Sequence, residues 1–402
     1  LMIRLCKIPL NLNTVFICTA KVVVCLANGE WYSYSKLVTV KFHPLPRQRL
    51  KLTMKTITTH PMYVGSSPTA HRYAPKSTLV DGFHRQLNYL RLSVTDFCNF
   101  RCDYCLPNGY TANNGKRPDN ELSLNEINTL VQGFAELGTS KIRLTGGEPS
   151  IRSDLTDIIA LTKSHGIATV AVSSNGYKLG KHLSAWHTAG LNQLNLSIDS
   201  FDPMLFKQIT GFDMLPTLLG DIDTLLDSTD IRLKINGILK ADTAFDNLLS
   251  ALDYAKTRPV TYRFIEFMQT SDNGKLFFAE HTNVSRIRDY LLERGWVAQV
   301  RASDAGPATE YRHDDYVGKI GIIEPYATHF CDSCNRLRVS SQGKVHLCLF
   351  DKASYDVREF LASGDVTELK RAVQNLMPIK PEHHHLHEQN SGLMNNLSMI
   401  GG

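Results

Sequence analysis

Six of the nine cysteines fall into two tight groups. Cys98, Cys102 and Cys105 stand in a C-x3-C-x2-C spacing and Cys331, Cys334 and Cys348 in C-x2-C-x13-C, while Cys6, Cys18 and Cys25 are scattered. An odd total with clustered spacing reads as metal ligation by thiolates, not as a disulfide framework, and implies a reducing compartment. Three thiolates on one short loop can hold three irons of a cubane cluster and leave the fourth iron for an exogenous ligand. Zinc normally closes with four protein ligands, and no fourth Cys or His follows Cys105 locally. The second group admits a competing assignment, a Cys3His zinc ribbon completed by His346 or His329. Directly after Cys334, Asn335-Arg336-Leu337-Arg338 sets two guanidinium groups one residue apart. In an extended chain both project to the same side and can converge on one polyanion such as phosphate. His383, His384, His385 and His387 form a histidine-rich run expected to be a solvated tail.

The elements that must carry these groups begin at residue 89. Short β-rich runs at 89–95, 141–145, 169–173, 193–198, 232–239 and 261–267 alternate with amphipathic stretches at 123–137, 154–165, 217–227 and 244–256. Ser123 and Glu126 form a capping box for the first of these helices. Strands separated by helices require a parallel sheet with right-handed crossovers. The ladder covers residues 89–268, short of the roughly 250 residues of a complete eight-unit barrel. The expected fold is therefore α/β: a partial six-unit (β/α) barrel over 77–270, followed by a C-terminal α+β region over 271–402 that carries the second metal cluster. The unusual residues follow the strands: the first cysteines, then Gly146-Gly147-Glu148-Pro149, then Asn175-Gly176, then Asp199. That is where such folds place chemistry. A doubly wound dinucleotide fold is disfavoured because Glu148 and Pro149, not a third glycine, follow the glycine pair.

Composition sets the outer bounds. Apolar residues make up 43% and charged residues 21% of 402, the balance of a soluble globular protein. The net charge of +5 suggests a nucleic-acid partner until it is divided along the chain: residues 1–80 hold 11 of the 44 Lys and Arg but only one acid, Glu30. The segment is +10 and the rest of the chain −5, so no nucleic-acid partner is expected for the core. Residues 1–76 read as a basic, poorly ordered extension with a proline-rich linker. The apolar stretch at 14–28 is interrupted by Lys21 and too short to span a bilayer, so no membrane association is expected.

The first cysteine spacing, Tyr104 before its third member and the Gly146-Gly147-Glu148-Pro149 motif resemble the radical S-adenosylmethionine superfamily. Residues 89–105, Arg143-Leu-Thr-Gly-Gly-Glu-Pro149, Ser173-Ser-Asn-Gly176, the second triplet with Asn335-Arg-Leu-Arg338, and the terminal Gly401-Gly402 are together similar to the GTP 3′,8-cyclase family, over residues 81–402. The resemblance implies two [4Fe-4S] clusters, one on Cys98, Cys102 and Cys105 and one on Cys331, Cys334 and Cys348. It implies S-adenosyl-L-methionine as cofactor, cleaved by one electron to a 5′-deoxyadenosyl radical, and GTP as substrate. The radical would remove hydrogen from C3′, and C3′ would attack C8 of guanine to give 3′,8-cyclo-7,8-dihydro-GTP, the first step of molybdenum cofactor biosynthesis.

By motif position the resemblance assigns Arg91, Arg143, Ser173, Lys234, Arg336 and Arg338 to GTP. It assigns Tyr104, Gly147, Ser197 and Met268 to S-adenosylmethionine, and gives Arg91, Arg336, Arg338, Gly401 and Gly402 catalytic parts. An electron donor and a downstream enzyme forming cyclic pyranopterin are the implied partners, a homodimer is an open option, and the cytoplasm is the expected location. Two alternatives stand beside it: another two-cluster radical enzyme acting on a peptide or a different nucleotide, and a zinc or iron–sulfur nucleic-acid-binding module.

Overall fold

The structure is a computed structural model that describes residues 78–111, 118–302, 305–392 and 400, together with the backbone of 16–25 and 31–40. The chain divides into two units, Leu1–Ala74 and Pro75–Gly402. The described part of the first is an antiparallel hairpin of β1 (Phe16–Cys25) and β2 (Trp31–Val40), Phe16 facing Val40 and Cys25 facing Trp31. The sequence analysis noted the apolar run at 14–28 but no partner strand for it. The remainder of the expected poorly ordered segment lies outside the described residues.

In the second unit six parallel strands form the ladder: β3 (Tyr89–Thr95), β4 (Lys141–Gly146), β5 (Thr169–Ser174), β6 (Gln193–Ser197), β7 (Arg232–Leu239) and β8 (Thr261–Glu266). Each is within one residue of its sequence-based position. Helices α1 (Leu124–Glu136), α2 (Leu155–Ser164), α3 (Leu179–Thr188), α4 (Pro203–Thr210), α5 (Leu215–Ser228) and α6 (Ala244–Thr257) fill the crossovers. The Ser123 hydroxyl accepts from the Glu126 amide and the Glu126 carboxylate accepts from the Ser123 amide, so two of the amide donors at the start of α1 are satisfied. Two helices went unread, although both carry signals. Leu179, Leu183 and Trp186 of α3 are buried at helical spacing. α4 opens on an Asp202 cap and Pro203 and ends at Gly211 with φ 80°.

Residues after 270 add α7 (Gly274–Glu280), α8 (Ser285–Glu293), β9 (Val297–Ala298), β10 (Thr309–Arg312), β11 (Lys319–Ile323), β12 (Arg336–Val339), β13 (Lys344–His346), β14 (Tyr355–Asp356), α9 (Arg358–Ser363) and α10 (Val366–Asn375). They do not form a sheet of their own. β11 runs parallel to β8 and β12 parallel to β3, so the C-terminal region extends both edges of the ladder into one 12-stranded sheet ordered β14-β13-β12-β3-β4-β5-β6-β7-β8-β11-β10-β9. The physical reason is edge pairing: a partial barrel leaves two open ladders of backbone donors and acceptors, and these strands close them.

Alternation on the strands separates two buried faces. Leu90, Leu92, Val94, Ile142, Leu144, Val170, Val172, Leu194 and Leu196 are fully buried and join the apolar core with the helices. Between them Arg91, Ser93, Arg143, Thr145 and Asn195 are equally enclosed but polar. Burying such a row is costly unless it meets partners; Asn195 and Ser93 find theirs within the chain, at Val172, Arg263 and Thr95. Register brings Arg338 of β12, Arg91 of β3 and Arg143 of β4 into one row across three neighbouring strands. Among the described residues no helix is long and apolar enough to cross a membrane.

Candidate functional site

The loop after β3 brings Cys98, Cys102 and Cys105 to one cavity, which is also lined by Tyr104, Gly147, Ser173, Ser197, Asp199 and Met268. Backbone contacts fix this loop. Cys105 and Leu106 amides both donate to the Cys102 carbonyl, at 3.0 and 2.8 Å, and Arg101 and Asp103 amides donate to Thr210 and Ile209 at the end of α4. Lys240, just beyond β7, pairs with Asp103 at 2.7 Å and Glu280 at 2.8 Å.

Three acids and amides that sequence reasoning left without a role lock the loops together. Asp199 accepts from the Tyr104 hydroxyl and the Ile238 amide, each at 2.8 Å. Burial raises its carboxyl to about 6 and pushes the Tyr104 phenol well above its ordinary value. Glu148, fully buried, accepts from the Ser150 amide, the Ser174 hydroxyl and the Asn175 amide at 2.9, 2.8 and 2.6 Å. Asn175 in turn donates to Asn99 at 2.9 Å. The glycine pair has a physical cause within the chain as well: a Cβ on Gly146 would strike the Thr95 carbonyl and one on Gly147 the Phe97 carbonyl. Both glycines let the loop after β4 lie directly on the first cysteine loop.

Cys331, Cys334 and Cys348 share a second cavity with Arg91, Arg143, Arg336 and Arg338. Asn236, Ile265 and Met268 line both cavities, which are therefore adjoining parts of one interior. Arg263, a further cation the sequence analysis passed over, lines the second cavity from β8. The signal that could have found it is a lone base within the otherwise apolar strand Thr261–Glu266. Among the described residues, the buried polar atoms at this cavity without a hydrogen-bond partner include Tyr89 Oη, Arg143 Nε, Arg263 Nε and Asn236 Oδ1. Burial would raise the Tyr89 phenol, but Arg143, Arg91, Lys141 and Arg263 outweigh it and lower it to about 8. Burial, then Arg143, lowers Arg263 to about 9, and burial, then Arg336, lowers Arg338 to about 10. A pocket with orphaned donors and a surplus of crowded positive charge fits a polyanion.

Not every assigned residue reaches this pocket. Ser173 lines the first cavity and not the second. Lys234 lines neither; it pairs with Glu310 at 2.5 Å, and burial, then Arg263, lowers it to about 8. Gly401 and Gly402 lie outside the described residues, but the preceding Ile400 is buried and its carbonyl accepts from Arg338 at 3.3 Å. The histidine run is not a uniformly solvated tail. His383, His385 and His387 are exposed, whereas His384 is buried against the second cavity, with its ring nitrogens 2.8 Å from the Pro325 carbonyl and 3.2 Å from the Leu386 amide.

The zinc-ribbon candidates are placed elsewhere. His329 is exposed and paired with Asp332 at 2.9 Å, and His346 lines neither cavity. Among the described residues no three His, Cys, Asp or Glu side chains are grouped to hold a single metal ion. The three cysteines of each triad do line one cavity, where three thiolates could each serve one iron of a cluster.

Glu266, at the end of β8, is buried 3.3 Å from His281. Burial, then Glu324, raises its carboxyl to about 7 from 4.5, and burial lowers His281, so both shifts oppose an ion pair. A carboxyl raised on folding favours the native state below its unfolded value, and that stability is lost as pH rises through the folded value. Urea titration is expected to show Glu266→Gln close to the parent at pH 5 and more stable at pH 8, by of order 3 kcal/mol at most. A parent chain that gains stability on Glu266 alone between these pH values, with the variant less stable at pH 8, contradicts the assignment.

Comparison with known proteins adds identity to this geometry. The Radical SAM superfamily matches residues 92–214, and Molybdenum Cofactor Synthesis C matches residues 260–386. The GTP 3′,8-cyclase of Pectobacterium atrosepticum is 47% identical over 328 residues, covering 81% of this chain and 99% of that protein. The GTP 3′,8-cyclase of Yersinia pestis is 48% identical over 329 residues, with the same coverage of 81% and 99%. The crystal structure of Streptococcus suis SuiB bound to S-adenosylmethionine aligns with a TM-score of 0.49 at 11% identity, covering 73% of this chain and 69% of that one. At such identity across nearly the whole length of its relatives, the chain belongs to the GTP 3′,8-cyclase family of radical S-adenosylmethionine enzymes.

Proposed function

We propose that the chain cyclises GTP to 3′,8-cyclo-7,8-dihydro-GTP, the first step of molybdenum cofactor biosynthesis. The observation that carries this is the shared wall of Asn236, Ile265 and Met268 between a thiolate-lined cavity and a cation-lined one. A reactive centre and a nucleotide bound on either side of that wall are neighbours, as direct hydrogen transfer requires.

Cys98, Cys102 and Cys105 hold the barrel [4Fe-4S] cluster, and Cys331, Cys334 and Cys348 hold a second. When bound, the first cluster and S-adenosylmethionine supply a carbon radical able to abstract hydrogen from C3′. The chain's own residues do the rest. Asp199 fixes Tyr104 through its hydroxyl, while Gly147, Ser197 and Met268 shape the space for the cofactor. Arg91, Arg143, Arg263, Arg336 and Arg338 bind and orient the triphosphate by charge-assisted forks. Ser173 stands on the cofactor side of the wall and contacts the sugar end of the nucleotide, and Lys234 steadies the pocket through Glu310. Gly401 and Gly402, following the anchored Ile400, enter the active site. A reducing cytoplasm, a one-electron donor and a downstream enzyme forming cyclic pyranopterin complete the setting.

The test is anaerobic reconstitution followed by incubation with reductant, S-adenosylmethionine and GTP deuterated at C3′. The label is expected in 5′-deoxyadenosine, together with a cyclised nucleotide. Release of unlabelled 5′-deoxyadenosine with GTP left intact would place the substrate elsewhere.

A further inference from the structure

Lys380 directly follows the helical turn Met377–Ile379 and is 3% exposed. No carboxylate pairs with it among the described residues. Its ammonium donates to the carbonyl of Leu347, the residue before Cys348. A carbonyl alone does not neutralise a buried cation, and buried charges are found paired with an opposite charge or a metal centre.

The backbone around Lys380 is fixed by a second buried base. Arg85 is already neutralised by Asp81 at 2.6 Å. Its other donors reach the carbonyls of Pro381 at 2.7 Å, Glu382 at 2.6 Å and Cys331 at 3.1 Å. One guanidinium thus ties the two residues after Lys380 to the first cysteine of the second triad. Arg85 clamps the segment, and Lys380 brings an uncompensated charge.

We propose that Lys380 is the counter-ion of the second cluster: its buried ammonium, held by the Leu347 carbonyl next to Cys348 and by the Arg85 clamp, offsets thiolate charge of the second triad and raises the cluster's reduction potential. This rests on the two-cluster function proposed above. A fixed positive charge beside a thiolate-ligated cluster stabilises the reduced, more negative state over the oxidised one, and such outer-shell groups tune potential without touching metal.

The experiment uses the full chain, reconstituted anaerobically, with iron and sulfide counted and each cluster titrated by electron paramagnetic resonance. The parent is expected to hold about eight irons. Lys380→Met is expected to move the second cluster to a more negative potential while the barrel cluster stays in place, and Lys380→Arg to restore it. Loss of iron from the second site alone, reversed by Lys380→Arg, supports the same conclusion. Unchanged potentials with both clusters present, equal shifts of both, or a loss that Lys380→Arg does not reverse would overturn it. If Lys380→Met does not fold, Lys380→Gln, which keeps a donor for Leu347, carries the same comparison. A parent chain with about four irons would instead sink the two-cluster function itself, without reference to any substitution.

Discussion

Gly147→Ala is expected to abolish reductive cleavage of S-adenosylmethionine, by about a hundredfold or more, although it adds one methyl group and touches no cysteine. The methyl would strike the Phe97 carbonyl and lie 2.7 Å from the Asp96 carbonyl oxygen. Both oxygens belong to backbone that cannot rotate away. At the same place the Gly147 amide donates to Thr95 and the Glu148 amide to Phe97, each at 2.9 Å. Relief of the clash must therefore separate the loop after β4 from the cysteine loop and weaken those two bonds. Overpacking of this kind costs about 1–3 kcal/mol and each lost bond about 1 kcal/mol. A native state with several kcal/mol to spare survives that, but a cysteine loop displaced by about an ångström does not keep a reactive geometry. Gly220→Ala is the control: it lies within α5, and a Cβ there meets nothing within 4 Å. That variant is expected to keep full cleavage activity and to melt no lower than the parent. Normal release of 5′-deoxyadenosine by Gly147→Ala would show that the loops can part without consequence.

The same loops show how far the sequence could be read. The six strands of the ladder were legible because each is a run of β-branched and aliphatic residues bounded by turn residues, and the cysteines were legible by spacing alone. Glu148 and Asp199 were marked by their place after the strands but not by role, and Arg85 was not marked at all, because what each does depends on partners 26 to 297 residues away: Ser174 for Glu148, Tyr104 for Asp199, Glu382 for Arg85. A lone acid or base announces nothing until the fold supplies its neighbours. What the sequence did not reveal beyond residue 270 is the pairing of the C-terminal strands with the ladder, for a related reason. β11 and β12 are short, four or five residues each, and look like parts of a separate small domain until the open edges of the ladder are seen to need them. Lys234 shows the opposite limit. Its strand position was read correctly, but Glu310, 76 residues on, claims its ammonium.

Arg338 illustrates why the row of buried bases has to be explained by a ligand. It lies in register with Arg91, and Arg91 with Arg143, while Arg336 is two residues away on the same strand. Burial and then Arg336 lower Arg338 to about 10, and burial and then Arg338 lower Arg91 well below its ordinary value. For a base, a folded value below the unfolded one means that the charged form is the destabilising one, and the penalty applies at every pH below the folded value. At neutral pH that penalty is of order 3 kcal/mol for Arg338 in the empty protein. Binding a triphosphate removes it, since each crowded guanidinium then faces negative charge.

Two opposite results are therefore expected from one substitution. Arg338→Met should raise the unfolding midpoint of the nucleotide-free chain, because a packed apolar side chain replaces a charge held among like charges. It should also weaken GTP by about ten- to a hundredfold, the cost of one charge-assisted contact at about 1.5–3 kcal/mol, with both clusters still assembled. Urea titration without nucleotide and equilibrium binding with GTP read the two effects separately. Tighter packing with unchanged GTP affinity would make Arg338 a relic of no binding consequence, and lower stability together with lost iron would make it a structural tie to Ile400. Only the crossed outcome, a more stable protein that binds less well, shows that the fold carries this charge for its substrate.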